Sequence, residues 1–147
     1  MKIDPLNWKI LNCLQKNARL PNTEIGRQVG ISSPAVSERI KKMEDAGVIN
    51  GYFTFVSPIE AGYQFKAIIT LRAFMGKLKP FLDIVKTYDE VLNCYRITGN
   101  ENIVMEVVLK NQKHLEAFID QLIVYGETKT QIVLSHVVKN NELKPIK

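Results

Sequence analysis

Between residues 32 and 42 the sequence gathers Ser32, Ser33, Pro34, Ser37, Glu38, Arg39, Lys41 and Lys42 around a thin set of apolar residues. At 100° per residue, Val36, Ile40 and Met43 fall on one helical face. Pro34, Ser37, Glu38, Lys41 and Lys42 fall on the other, with Arg39 on the flank. Short serines at a helix start allow close approach to base edges and phosphates. Lys41 and Lys42, one turn later, suit phosphate oxygens. A lysine pair alone is more often a solvated helix face, so the weight rests on what surrounds it. No comparable set speaks for catalysis. His114 stands beside Lys113 in a helical pattern and His136 in an extended one. No Ser or Cys comes with a recognisable base and orienting partner. Gly99 belongs to no phosphate-binding glycine pattern. Cys13 and Cys94 lack metal-ligand spacing and are too few for a disulfide framework. They are expected to be buried, reduced thiols. The reading is of a binding protein, not an enzyme, with no metal and no cofactor.

The elements that must position the 32–42 set are legible. Asp4 followed by Pro5 is a helix start: a side-chain cap, then a residue with preset φ that needs no N–H. Leu6, Ile10, Cys13 and Leu14 recur at helical spacing. Asn22 is expected to cap a second, short helix in which Ile25 and Val29 share a face. Gly30 ends it in the left-handed conformation. Ser32 is a cap for a third helix through Asp45, closed by Gly47. Val48 to Val56 reads as two short strands around Asn50-Gly51, a two-residue hairpin turn. Three helices, a tight Gly30-Ile31-Ser32 turn and a hairpin make a winged helix-turn-helix plan. In that plan the third helix is offered to the major groove of double-stranded DNA, and the basic pair gains its meaning.

The remaining composition agrees. The chain has 147 residues, 46% hydrophobic and 24% charged, the balance of a folded protein. No apolar run nears the ~18 residues of a membrane span. The start lacks a secretory apolar core, so a cytoplasmic location is expected. The net charge is +5, divided as +2 over residues 1–60 and +3 over residues 61–147. An excess this diffuse neither proves nor excludes nucleic acid.

Residues 57–65 read as a short connector, after which the period changes. Phe65, Ala67, Ile69, Leu71 and Ala73 alternate with Lys66, Thr70 and Arg72, which predicts a strand. Leu78, Phe81, Leu82, Val85 and Tyr88 have helical spacing. Residues 91–98 and 103–109 are strand-like around the polar turn Gly99-Asn100-Glu101-Asn102. Leu115, Phe118, Ile119, Leu122 and Ile123 form another helix, and residues 128–138 a long final strand. The order β-α-β-β-α-β predicts a ferredoxin-like sandwich, and the class α+β. The division expected is 1–56 for DNA binding, 57–65 as connector and 66–147 for assembly. The sheet face away from the helices is expected to be apolar, through Ile68, Phe74, Val133 and Val137 or their neighbours, and to drive self-association.

The chain resembles the Lrp/AsnC, or feast/famine, family of transcription regulators. The resemblance spans essentially the whole chain. It rests on Ile3-Asp4, on Ile10-Leu11 with Leu14 to Arg19, on Asn22 to Ser32, on Ser32 to Glu44 and on Gly47 to Tyr52. It implies a DNA-binding regulator controlled by a small amino acid, paired through the C-terminal sheet domain and assembling further, as a tetramer of dimers. In the family a Gly-Asp-x-Asp turn lies near the effector site. Here that turn is Gly99-Asn100-Glu101-Asn102: Gly99 matches, and amides replace both acids. Asn offers a donor and an acceptor but no charge, while Gly99 leaves its N–H approachable by a carboxylate. The effector set implied is Gly99, Asn100, Glu101, Asn102 and Ile103, with Ser135 and His136 from the final strand. Leucine or methionine would suit an apolar pocket beside Ile103. The residue pattern also admits a protein of the same fold that organises DNA without an effector.

Overall fold

Asp4 starts the first helix as its type predicts. Its Oδ1 accepts the Asn7 N–H at 2.7 Å, capping α1 (Pro5–Lys16) with proline in the first turn. The computed structural model describes residues 2–146. Helix α2 (Asn22–Val29) follows, but Asn22 is its first residue and not its cap. Pro21 stands at the cap in extended conformation, and its carbonyl takes the Glu24 and Ile25 N–H groups at 2.9 and 3.0 Å. Gly30 ends α2 at φ 81°, in the left-handed region. Ser32 then caps α3 (Ser33–Asp45) by accepting the Ala35 N–H.

The close approach of α2 to the turn depends on Gly26. Its carbonyl accepts both the Gly30 and Ile31 N–H groups, and a Cβ there would sit 2.5 Å from the Ile31 carbonyl oxygen. Ile10, Leu11, Ile25, Val36 and Met43 form the core of this unit. Each such side chain, fully buried, contributes about 1.5–3 kcal/mol relative to exposure.

The hairpin expected around Asn50-Gly51 does not form. Val48 and Ile49 both donate to the Met43 carbonyl, at 2.8 and 3.1 Å. Their amides are therefore spent on closing α3 and unavailable for a ladder. Gly51 lies at φ 153°, far from the value near 60° that a type I′ turn requires. Residues 51–56 carry no strand, and Phe53, Phe55 and Val56 are exposed. The wing position is held by an irregular segment, since two short strands alone are marginal in water.

The chain divides into two compact units. One runs to Phe55 and takes in the chain from Val138 onward; the other is Val56–Val137. The tail from Val138 thus groups with the helices and not with the sheet. Within that unit, Gln15 grips the Leu143 main chain twice: its Oε1 accepts Leu143 N–H at 2.8 Å and its Nε2 donates to Leu143 O at 3.1 Å.

The second unit holds β1 (Phe65–Ala73), α4 (Leu78–Ile84) with a 3₁₀ turn at Val85–Thr87, β2 (Val91–Arg96), β3 (Ile103–Leu109), α5 (Gln112–Leu122) and β4 (Gly126–Ile132). The strands lie in the order β2-β3-β1-β4, all antiparallel. Ala67, Ile69, Leu71, Ile103, Met105 and Val107 are buried with Phe81 and Val85 from the first helical stretch and Phe118 and Leu122 from α5. This is the ferredoxin-like sandwich. Asn111 caps α5 through the His114 N–H.

Two expectations fail here. The last strand starts at Gly126 and ends at Ile132, not at residue 138. Its partner explains the length: Ile132 pairs with Ala67, and β1 begins only two residues earlier, at Phe65. Val133 N–H still reaches Lys66 O, but Ser135 and His136 lie beyond any ladder. Second, the outer sheet face is not simply apolar. The phase of β1 puts Lys66, Ile68, Thr70 and Arg72 there, and ion pairs cross it: Lys66–Glu106 at 3.1 Å and Arg72–Glu127 at 2.6 Å. Phe74 and Val137 are exposed but lie outside the strands.

Candidate nucleic-acid interface and effector turn

Helix α3 is fixed inward by Val36 and Met43, both fully buried. That leaves Pro34, Ser37, Glu38, Lys41 and Lys42 exposed and Ser33 and Arg39 half-buried. Ser32 is exposed, with its hydroxyl engaged in the cap. Glu38 holds Lys42 at 2.6 Å across one helical turn, and that lysine holds the Glu38 carboxyl below its usual range. Lys41 enters no ion pair among the described residues. Arg39 turns toward α1: its Nη1 donates to Asp4 Oδ2 at 2.8 Å and to Asn7 Oδ1 at 2.9 Å. Asp4 and Asn7 are partners that the linear sequence did not disclose. A concavity of about 440 Å³ lies here, lined by Lys2, Asp4, Asn7, Ala35, Glu38, Arg39 and Lys42.

The 99–102 turn joins β2 to β3. Gly99, at φ 117°, adopts a backbone conformation that L side chains rarely take. Asn100 is exposed. Glu101 accepts from Lys129 Nζ at 3.3 Å, and this lysine lowers its carboxyl pKa. Asn102 donates its N–H to Leu71 O at 3.0 Å, and its Oδ1 accepts the Ala73 N–H at 2.8 Å. Ile103 is fully buried in the core, not on a surface. Ser135 and His136 are exposed and separate from this turn's cavity lining.

That cavity measures about 250 Å³ and is lined by Thr70, Arg72, Asn100, Glu101, Glu127, Thr128 and Lys129. Two cations and two carboxylates face one space, already paired as Arg72–Glu127 and Lys129–Glu101. The Thr70 hydroxyl is buried and has no hydrogen-bond partner. Of the residues singled out in the sequence, only Asn100 and Glu101 belong to this lining. The others arrive through strand register, which pairs Thr70 with Lys129 and Arg72 with Glu127. Alternation along β1 signals which of its residues share a face; the partner strand is not legible without the fold. Among the described residues no three His, Cys, Asp or Glu side chains converge as a metal site, and no helix is long and apolar enough to cross a membrane.

A helix-turn-helix whose second helix exposes serines and lysines defines a DNA-binding protein. Residues 3–50 match the model of the winged helix-turn-helix DNA-binding family, and residues 66–143 match that of the Lrp/AsnC ligand binding domain. The chain belongs to the Lrp/AsnC family of transcriptional regulators. It is 31% identical over 142 residues to the HTH-type transcriptional regulator LrpB of Bacillus subtilis, covering 95% of this chain and 94% of that protein. It is also 31% identical over 153 residues to the HTH-type transcriptional regulator FL11 of Pyrococcus abyssi, covering 100% and 99%. The structure of LrpC from B. subtilis superposes with a TM-score of 0.89 at 27% identity, covering 94% of this chain and 99% of that one.

Proposed function

We propose that this protein is a sequence-specific, cytoplasmic DNA-binding regulator whose DNA binding or assembly responds to a small amino acid, and that it works by binding and not by catalysis. Ser33, Pro34, Ser37, Lys41 and Lys42 form the groove-facing surface of α3. The free amino acid enters the cavity beside the 99–102 turn. The observation that carries the effector reading is the buried, unpartnered Thr70 hydroxyl at a cavity lined by both signs of charge. A zwitterion needs acceptors for its ammonium and donors for its carboxylate. Glu101 and Glu127 offer the first; Arg72, Lys129 and the Thr70 hydroxyl offer the second. Leucine and methionine are the side chains to try first.

Each helix-turn-helix unit makes few phosphate contacts, and salt weakens each steeply. Dimers assembled further, as a tetramer of dimers, raise the effective concentration of the second unit and hence avidity. The exposed Phe53, Phe55 and Val56 on the irregular segment, and Ile68 on the outer sheet face, support self-association.

A second reading has its own support. Both cavity cations are already paired and the Asn102 amide oxygen is spent on Ala73, which fits a DNA-organising protein without an effector. A thermal-shift screen against the twenty amino acids separates the two, with light scattering on any hit. A ligand that binds only the folded state raises the melting temperature by mass action. A selective rise for one or two amino acids is expected. No rise for any of them sinks the effector reading and leaves the DNA-organising one.

A further inference from the structure

The one guanidinium on α3, that of Arg39, is drawn toward α1 through its Nη1 nitrogen. Arg39 Nη1 is shared between Asp4 Oδ2 at 2.8 Å and Asn7 Oδ1 at 2.9 Å. Asp4 is itself engaged twice, since its other oxygen caps α1 through the Asn7 N–H at 2.7 Å. Asn7, 3% exposed, is the one buried polar residue among the described ones. These three side chains close a network between the first turn of α1 and the middle of α3, 32 to 35 residues apart in sequence. The polar contacts of Ser32 and Lys42 stay within α3.

The apolar contacts of α3 are non-directional. Val36 and Met43 set which face of the helix turns inward, but apolar packing alone leaves the fine rotation about the helix axis less sharply defined than a directional bond does. A charge-assisted guanidinium bond is directional. Base contacts require side chains placed to within a fraction of a hydrogen-bond length, whereas phosphate contacts tolerate more. A residue that locks rotation therefore controls sequence discrimination more than bulk attraction to DNA.

We propose that Arg39 is a positioning residue for DNA recognition and not a DNA contact, acting with Asp4 and Asn7 to set the rotation of α3. The proposal rests on the DNA-binding reading of α3. It makes an acidic residue, Asp4, favourable to binding an anionic partner.

The test uses the full-length protein and a duplex selected by it from a random-sequence library, with an unrelated duplex of equal length as reference. Failure of the unaltered protein to enrich any duplex sinks the sequence-specific reading and this proposal with it. Given an enriched duplex, Asp4→Asn is the informative variant, because Asn retains an N-cap acceptor while losing the charge that holds Arg39. Removal of a negative charge near DNA would by electrostatics alone strengthen binding to both duplexes. The expected result is opposite in sign: affinity for the selected duplex falls about tenfold or more and that for the unrelated duplex does not fall with it. Arg39→Ala should reproduce this loss of discrimination, and the double variant should be no worse than either single one. The slope of log affinity against log salt should stay unchanged in all three. If Arg39→Ala instead weakens both duplexes alike and flattens the slope by about 0.9, the loss of one phosphate contact, Arg39 touches DNA and the proposal is overturned. An Asp4→Asn protein that binds both duplexes more tightly overturns it equally. A thermal melt of each variant above the assay temperature keeps loss of fold from imitating loss of discrimination.

Discussion

Asn102 Oδ1 accepts the Ala73 N–H at 2.8 Å, so the last residue of the β2–β3 turn caps the end of the strand beside it. The amide that replaces a family carboxylate here is a structural ligand of the backbone. Removing it orphans a half-buried N–H, which costs about 1–3 kcal/mol. Asn102→Ala should lower stability by about 1–2 kcal/mol in urea unfolding. Asn102→Asp keeps an acceptor in place and should cost less than about 0.5 kcal/mol. Equal losses for the two variants would show that the bond to Ala73 does not hold the turn.

Thr70 gives a prediction with opposed signs. Its hydroxyl is buried without a partner, and an unsatisfied polar group weakens the fold that contains it. Thr70→Val preserves the shape and removes the hydroxyl. The variant without ligand should be more stable by about 1 kcal/mol, and its thermal shift with the amino acid found by screening should shrink or vanish. A variant that is stabilised yet retains the full shift would place the ligand elsewhere.

Much of this was legible in the chain because the signals are local. Asp4-Pro5, Gly30 and Ser32 each act within one turn of themselves, and their helices start or stop where those types require. The alternation of Ala67, Ile69 and Leu71 set the buried face of β1 directly. What was hidden depends on partners distant in sequence. Asn50-Gly51 has hairpin chemistry, but the preceding amides are taken by the Met43 carbonyl. The last strand stops because β1 begins where it does, which no local residue at 133 announces. Gly126 stands at the start of that strand because a Cβ there would clash with the Arg72 carbonyl oxygen. Of the effector set expected from the sequence, the cavity beside the 99–102 turn takes in only Asn100 and Glu101, because Thr70, Arg72, Glu127, Thr128 and Lys129 converge by register. Ile103 was assigned to that lining and belongs to the core.

The two lysines of α3 should differ in DNA binding. Lys42 is held by Glu38 at 2.6 Å, while Lys41 is exposed and unpaired among the described residues. An exposed pair of this kind is worth little to the fold, so Glu38 can be changed safely. Glu38→Gln should tighten binding and steepen the salt slope as Lys42 becomes available to phosphate. Lys41→Ala should flatten the slope by about 0.9. The double change Lys41→Glu with Lys42→Glu should abolish binding with no change in particle mass by light scattering. A changed mass would mean that these residues serve assembly, and the DNA assignment of this face would fall.

Tyr52 ties the segment after α3 back to that helix, its hydroxyl donating to Glu44 Oε1 at 2.9 Å. Burial first, and the Glu44 carboxylate second, push its phenol up to about 12 from an ordinary value of 10.0. A group whose pKa is raised on folding binds its proton more tightly in the native state. Its contribution to stability is therefore complete below pH 10 and is lost as pH rises through about 12. Alkaline titration followed by ultraviolet difference absorbance should show one of the five tyrosines ionising near the top of this range. Tyr52→Phe should remove that step. Glu44→Gln should lower it only in part, because burial is the larger cause and survives the change. It should also leave the step above the ordinary phenol value of 10.0. If Tyr52→Phe leaves the alkaline end of the titration unaltered, Tyr52 is not held against Glu44, and the tie between α3 and the segment that follows it does not exist in solution.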